Sequence, residues 1–145
     1  MANTRHAYRS TYGCPAWHDS VVHVIAERIA ELGSAVRYVA VSDGGDEPEI
    51  WERNPGPDSS SSESGRYEEL LVNPALLTLA GRRGNIDCGG LDFLLVRYGN
   101  FFQLVVPTPS WGHVSVCLNP DADVPDVTRQ VIEVLALDAG SPSTQ

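Results

Sequence analysis

Three groups of residues in this chain carry side chains that could do chemistry. Cys88 stands directly before Gly89 and Gly90. A thiol beside glycines can be a nucleophile at an exposed turn, provided a histidine, a basic group or a helix N-terminus lowers its pKa. Cys88 instead follows a helical stretch ending in Arg82, Arg83 and Gly84. A helix C-terminus disfavours a thiolate, and the two arginines offset that only in part. The glycines suit a backbone that leaves a helix and bends into a strand, so the structural reading is preferred. Cys14, His18 and His23 have spacings near those of zinc sites but supply no fourth ligand. They read as a partly buried cysteine and surface histidines, and no metal or cofactor is expected. His113, Ser115 and Cys117 alternate along one apparent strand. Side chains two apart on a strand are roughly 6–7 Å from each other, too far for a direct Cys–His hydrogen bond. Small residues on one strand face more often make room for a packed helix, and that reading is preferred here. No pair of acids is placed for glycosidase chemistry. Gly44-Gly45 marks a turn, and neither GxGxxG nor GxxxxGK[ST] occurs.

The chain around these residues narrows the options further. Its 145 residues make one domain, large enough for a single apolar core. No apolar run reaches membrane-spanning length. The N-terminus, MANTRHAYRSTYG, lacks the apolar region of a secretory signal, so a cytoplasmic protein is expected. Three scattered cysteines do not make a disulfide framework. A net charge of −9 opposes binding to nucleic acid and to anionic membranes. All ten basic residues are arginine. Without lysine there is no Schiff base, no Ser–Lys dyad and no P-loop, so the chain is not itself a P-loop GTPase.

Hydrophobic periodicity gives the elements. Residues 1–13 and 139–145 read as flexible tails, with one domain over 14–138. Val21, Ile25, Ile29 and Leu32 make a helical stripe from Trp17 onward, capped by Asp19 or Ser20 and ended by Gly33. Residues 35–42 and 48–54 read as a hairpin around Asp43–Asp46. Residues 55–65, PGPDSSSSESG, read as a mobile polar loop; a phosphorylated serine there is the less favoured idea. Asn73-Pro74 signals a helix start, Gly84 its close, with Arg82 and Arg83 in the last turn; RYEELLV before it reads as an extra helical turn kinked at the proline. Strands follow over 91–98, 101–107 and 113–119, the first two joined by a tight turn at Gly99-Asn100. Both of those strands are apolar on each face, so both sides of the sheet should be covered. Asp123 caps a last helix striped by Val127, Val131, Val134 and Leu135. The fold class is α/β, an α+β sandwich in the order α-β-β-α-β-β-β-α, with a five-stranded antiparallel sheet and helices on both faces.

The central helix is richer in leucine than one sheet contact needs. Leu70, Leu71, Leu76 and Leu77, with Arg82 and Arg83, make a candidate partner-binding face. A broad core-facing stripe would explain the leucines equally well.

The element order resembles that of the roadblock/dynein light-chain family, in its bacterial form, over roughly residues 17 to 137. The carriers are VVHVIAERIAEL, RYVAVSDGGDEPEIW, NPALLTLAGRRG, LLVRYGNFFQLV and GHVSVCLNPDADVPDVTRQVIEVL. The family has no sharp motif, so the match is one of pattern. The serine-rich loop is longer than usual, and Asn73-Pro74 interrupts the central helix. The resemblance implies a homodimer joined edge to edge through the strand over 91–98, with Leu91, Phe93, Leu95 and Arg97 at the seam. It implies central helices paired over about 74–83. It also implies a non-catalytic regulator or scaffold for a small Ras-like GTPase or a related signalling partner. Two other classes remain: a small-molecule sensor of the PAS/GAF type, which needs a closed apolar pocket, and a cysteine-dependent enzyme, which needs an activated thiol.

Overall fold

The computed structural model describes residues 16–44, 47–53, 63–109 and 112–139. Helix α1 (Ala16–Ala30) leads into strands β1 (Val36–Ser42) and β2 (Glu49–Glu52). A helical run follows, made of α2 (Glu63–Tyr67), a π-helical segment (Glu68–Val72) and α3 (Asn73–Asp87). Strands β3 (Leu94–Arg97), β4 (Phe102–Thr108) and β5 (Gly112–Leu118) and helix α4 (Val124–Ala139) complete it. The element order and the five-stranded antiparallel sheet agree with the sequence reading. The strand order is β2-β1-β5-β4-β3, so the chain closes by pairing β5 with β1, far apart in sequence.

The strands have two faces of different chemistry. Val39, Val41, Leu104, Val106, Val114, Val116 and Leu118 point to one side, where they bury with Val22, Ile25, Ala26 and Ile29 of α1 and Val131 of α4. This is the main core. The opposite side carries a smaller apolar cluster of Tyr38, Ala40 and Cys117, with Ile50 and Phe101 against it. His113, Ser115 and Gln103 are buried as well.

Several boundaries differ from the sequence reading. Residues 16–20 are already helical, so Asp19 and Ser20 lie inside α1 and do not cap it. Glu63, Ser64 and Gly65, expected in the serine-rich loop, begin α2, and Ala139, expected in the C-terminal tail, ends α4; residues 54–62, the expected tail 1–13 and residues 140–145 lie outside the described residues. Asn73 does not cap a helix. Its backbone is right-handed helical (φ −61°, ψ −45°), and its N–H donates to the carbonyl of Glu68 five residues back. Proline at 74 cannot donate and its ring would press on the preceding turn; the wider π turn relieves both problems within one helical run. Helix α3 also runs past Gly84 to Asp87, so Arg82 and Arg83 are not in its last turn. Gly84 is small for another reason: a side chain there would lie 2.9 Å from the backbone carbon of Gly90. The helix ends where Gly89 (φ 78°) and Gly90 (φ 93°) turn the chain back, and the N–H groups of Cys88 and Gly90 both donate to the Gly84 carbonyl. The strand expected over 91–98 is shorter, Leu94–Arg97, and it is not covered on both faces.

The Tyr98 N–H donates to the Phe101 carbonyl, closing the hairpin around Gly99-Asn100 as expected. Asp123 accepts from the Asp126 N–H at 3.2 Å and caps α4, also as expected.

Gly112 opens β5 at φ 141°, and a side chain there would come within 2.0 Å of the Ser42 carbonyl oxygen. Gly112→Ala should therefore cost roughly 3 kcal/mol or more of stability, read as a lower urea midpoint at an unchanged slope. An unchanged midpoint would show that the β1–β5 seam yields at this point.

Candidate functional site

Alternation along β5 puts His113, Ser115 and Cys117 on the face opposite the main core, and a helical segment covers that face, as the small side chains implied. The feature that sequence reasoning missed is the side chain that comes down to meet them. Glu69 of the π segment has no solvent exposure at all. Its Oε1 accepts from the Tyr38 hydroxyl at 3.1 Å. Its Oε2 lies 2.8 Å from His113 Nε2 and accepts from Asn73 Nδ2 at 3.1 Å. One carboxyl group thus ties the helical run to β1 and β5 and secures its own next turn. A buried carboxylate needs such partners, because leaving it unpaired costs several kcal/mol. Beside it Gln103 Nε2 donates to Ser115 Oγ at 2.7 Å. At the rim, Tyr98 donates to Glu68 Oε1 at 3.0 Å.

The electrostatics of this cluster favour the neutral forms of Tyr38, Tyr98 and Cys117. Burial pushes the Tyr38 hydroxyl far above its ordinary value, and the nearby Glu69 adds to the rise. Burial likewise pushes the Cys117 thiol well up, with Glu69 and Glu68 adding to it. Tyr98 is pushed up to about 12 by burial and by its bond to Glu68. Glu68 is raised by burial, partly offset by the Tyr98 hydroxyl. Nothing here supplies a thiolate or a phenolate; the arrangement anchors a helix. The signal in the sequence was slight: an acid at 69 four residues before Asn73, within the stretch RYEELLV that reads only as an extra helical turn.

The helix so anchored carries exposed large apolar side chains among polar ones. Of the expected partner-binding residues, Leu71 is exposed, Leu70, Leu76 and Leu77 are half-buried, and Arg82 and Arg83 are exposed, Arg83 pairing with Asp87. Leu79 (67% exposed) and Ile86 (76%) belong to the same surface. Leu79 could have been found three residues after Leu76. Ile86 could not, because the helix was expected to end before it. Of the expected seam residues, Leu91 is half-buried and precedes β3, as does Phe93 (41% exposed). Leu95 (43%) and Arg97 lie on the strand, with the Arg97 guanidinium 4.7 Å over the Phe102 ring. Strand β3 is an edge of the sheet, so among the described residues one side of its backbone faces no other strand. Phe93 and Leu95 also line an open apolar groove of about 500 Å³ against Val124, Pro125 and Ile132 of α4.

Cys88 is the C-terminal cap residue of α3 and is exposed. Its thiol donates to Asp87 Oδ1 at 3.2 Å, and that bond is the main reason its pKa is raised. His23 Nδ1 lies 2.7 Å from Glu49 and its Nε2 2.8 Å from Glu27, which uses both ring nitrogens on carboxylates. Cys14 and the side chain of His18 lie outside the described residues. Among the described residues no group of three His, Cys, Asp or Glu side chains is placed to hold a metal ion. Among them, too, no helix is long and apolar enough to cross a membrane.

No protein-family model matches the sequence, and no curated protein does either. Solved structures do match. The Roadblock/LC7 domain from Streptomyces avermitilis superposes with a TM-score of 0.60 at 10% identity, covering 79% of this chain and 91% of that one. Myxococcus xanthus MglB gives 0.63 at 10% identity over 88% and 90%. The gliding protein MglB from Thermus thermophilus gives 0.62 at 13% identity over 91% and 98%. At such identities the likeness is one of fold, and the fold of this chain is roadblock-like.

The raised pKa of Cys88 has a kinetic consequence. At pH 7 less of it is thiolate than of an ordinary thiol, so it should alkylate more slowly than a cysteine in a free peptide despite its exposure. The pH profile of iodoacetamide labelling, read on the Cys88 peptide, should have its midpoint above about 8.5. A midpoint well below that value would restore the cysteine-enzyme reading.

Proposed function

We propose that this chain with a roadblock-like fold works as a homodimeric, non-catalytic regulator or scaffold in the cytoplasm, and that it docks a small Ras-like GTPase or a related signalling partner. The observation that carries the reading is a set of exposed apolar side chains around an edge strand. Leu71 of the π segment and Leu79 and Ile86 of α3 lie on one side of the sheet, while Leu95 of β3, paired with the main-core Leu104, lines the groove beside α4 with Phe93 on the other. A free edge invites pairing with another strand, and an apolar helix beside it invites a second helix. A second copy of the chain offers both at once, in a two-fold arrangement where each protomer presents the same patch. The opposite edge is poorly suited to that role, because β2 reads Glu-Ile-Trp-Glu and would bring like charges together.

The GTPase is a separate protein in this reading, since a chain without lysine cannot form a P-loop. The raised thiol of Cys88 and the burial of Cys117 weigh against the cysteine-enzyme alternative. The groove beside α4 is open, whereas a sensor of the PAS/GAF type needs an enclosed pocket.

The test is a pull-down from native lysate with the tagged chain as bait, in the presence of a GTP analogue or GDP. A Ras-like GTPase should be enriched with one nucleotide over the other. Leu79→Asp, at an exposed position that folding does not need, should reduce that enrichment roughly tenfold or more. Absence of any nucleotide-dependent GTPase would remove this partner and shift the reading toward ligand sensing.

A further inference from the structure

The two sides of the sheet hold their helices in different ways. Helices α1 and α4 are joined to it by the large apolar cluster, which is non-directional and tolerates small shifts. The run Glu63–Asp87 is not. Among the described residues, neither apolar cluster includes a side chain from it. Beside the half-buried Leu70, Leu76 and Leu77, its polar ties to the rest of the chain include Glu69 to Tyr38 and His113, Glu68 to Tyr98, and the exposed ion pair of Arg66 with Glu47 at 2.7 Å. Exposed pairs such as the last contribute little. The two buried bonds of Glu69 to the sheet are the strongest of these polar ties.

Polar ties of this kind depend steeply on geometry, so they give an attachment that is either made or broken. The helical run also carries its own discontinuity next to the anchor, a π turn running into Asn73-Pro74, where the backbone ladder is already interrupted. Asn73 Oδ1 is buried there and accepts no hydrogen bond from the described residues. At its far end the run is joined to β3 through Gly89 and Gly90, both in left-handed conformations.

We propose that residues 63–87 form a lid that opens as a unit while the sheet, α1 and α4 stay folded, and that Glu69 is the side chain that latches it shut. Opening lifts the outer apolar surface of α3 away from its place beside β3 and uncovers the cluster of Tyr38, Ala40 and Cys117. Glu69 is thus a positioning residue for whatever surface α3 presents. A partner that grips α3 in its closed position holds the latch, and one that needs α3 displaced releases it. The inference concerns this chain alone and does not depend on the identity of the proposed partner.

Cys117 is a built-in reporter, because it is buried beneath the lid on the sheet. Its alkylation is followed on the full-length protein by mass spectrometry of the Cys117 peptide, across urea concentrations well below the unfolding midpoint. Sub-global opening exposes little surface and depends weakly on urea, whereas global unfolding carries the full slope. The expected result is a labelling rate nearly flat in low urea and steep only near the midpoint. Glu69→Gln keeps the shape but replaces one acceptor oxygen with a donor. It should raise the low-urea rate roughly ten- to hundredfold, without moving the steep limb by as much. Val131→Ala, on α4 in the main core, should move the steep limb and leave the flat one in place. Labelling of the wild-type chain that follows the full unfolding slope at every urea concentration would overturn the lid, and this arm does not require that any variant fold. A flat limb that Glu69→Gln leaves unchanged would overturn the role of Glu69.

Discussion

A carboxyl group with no access to water sets the terms for half of this molecule. Glu69 must find donors inside the protein, and Tyr38, His113 and Asn73 are the three it finds. Those partners come from β1, from β5 and from the helix itself. One side chain therefore decides where the helical run crosses the sheet, and hence which of its residues face outward. Leu71, Leu79 and Ile86 are exposed because Glu69 and Asn73 face in. The same constraint shapes the backbone: the π turn at Glu68–Val72 holds both Glu69 and a proline five residues later in one continuous helix.

The opposite face needs no such device. Branched apolar residues at every second position of β1, β4 and β5 meet the stripes of α1 and α4, and burial alone holds them. A sheet with one apolar face and one mixed, hydrogen-bonded face can hold its helices by packing on one side and by directed bonds on the other. The edges differ in the same sense. Strand β2 ends the sheet with acids, which discourage another strand, whereas β3 ends it with Leu94, Leu95 and Val96.

Much of this was legible in the residues. The alternation of β5 separated its two faces correctly because a strand repeats every two residues, whatever it pairs with. The aspartate cap of α4 was visible because capping is local. What was not legible depends on contacts between distant parts of the chain. Gly84 looked like a helix end, and only the return of Gly90 against it shows why a glycine is needed inside the helix. Asn73-Pro74 looked like a helix start, since nothing local announces that the preceding turn will widen to receive it. Glu69 did not stand out within RYEELLV, because burial of a carboxyl group is decided by partners at positions 38 and 113. Strand β3 read as covered on both faces, and an apolar strand gives no sign of whether its cover comes from its own chain or from another.

That last point is the centre of the functional reading, and amide hydrogen exchange at two protein concentrations addresses it most directly. On going from nanomolar to high micromolar chain, the amides of β3 and of α3 should gain protection together, while those of β2, α1 and α4 should not change. Exchange that is independent of concentration, or protection that appears at β2 instead, would contradict self-association through the β3 edge and the exposed helix.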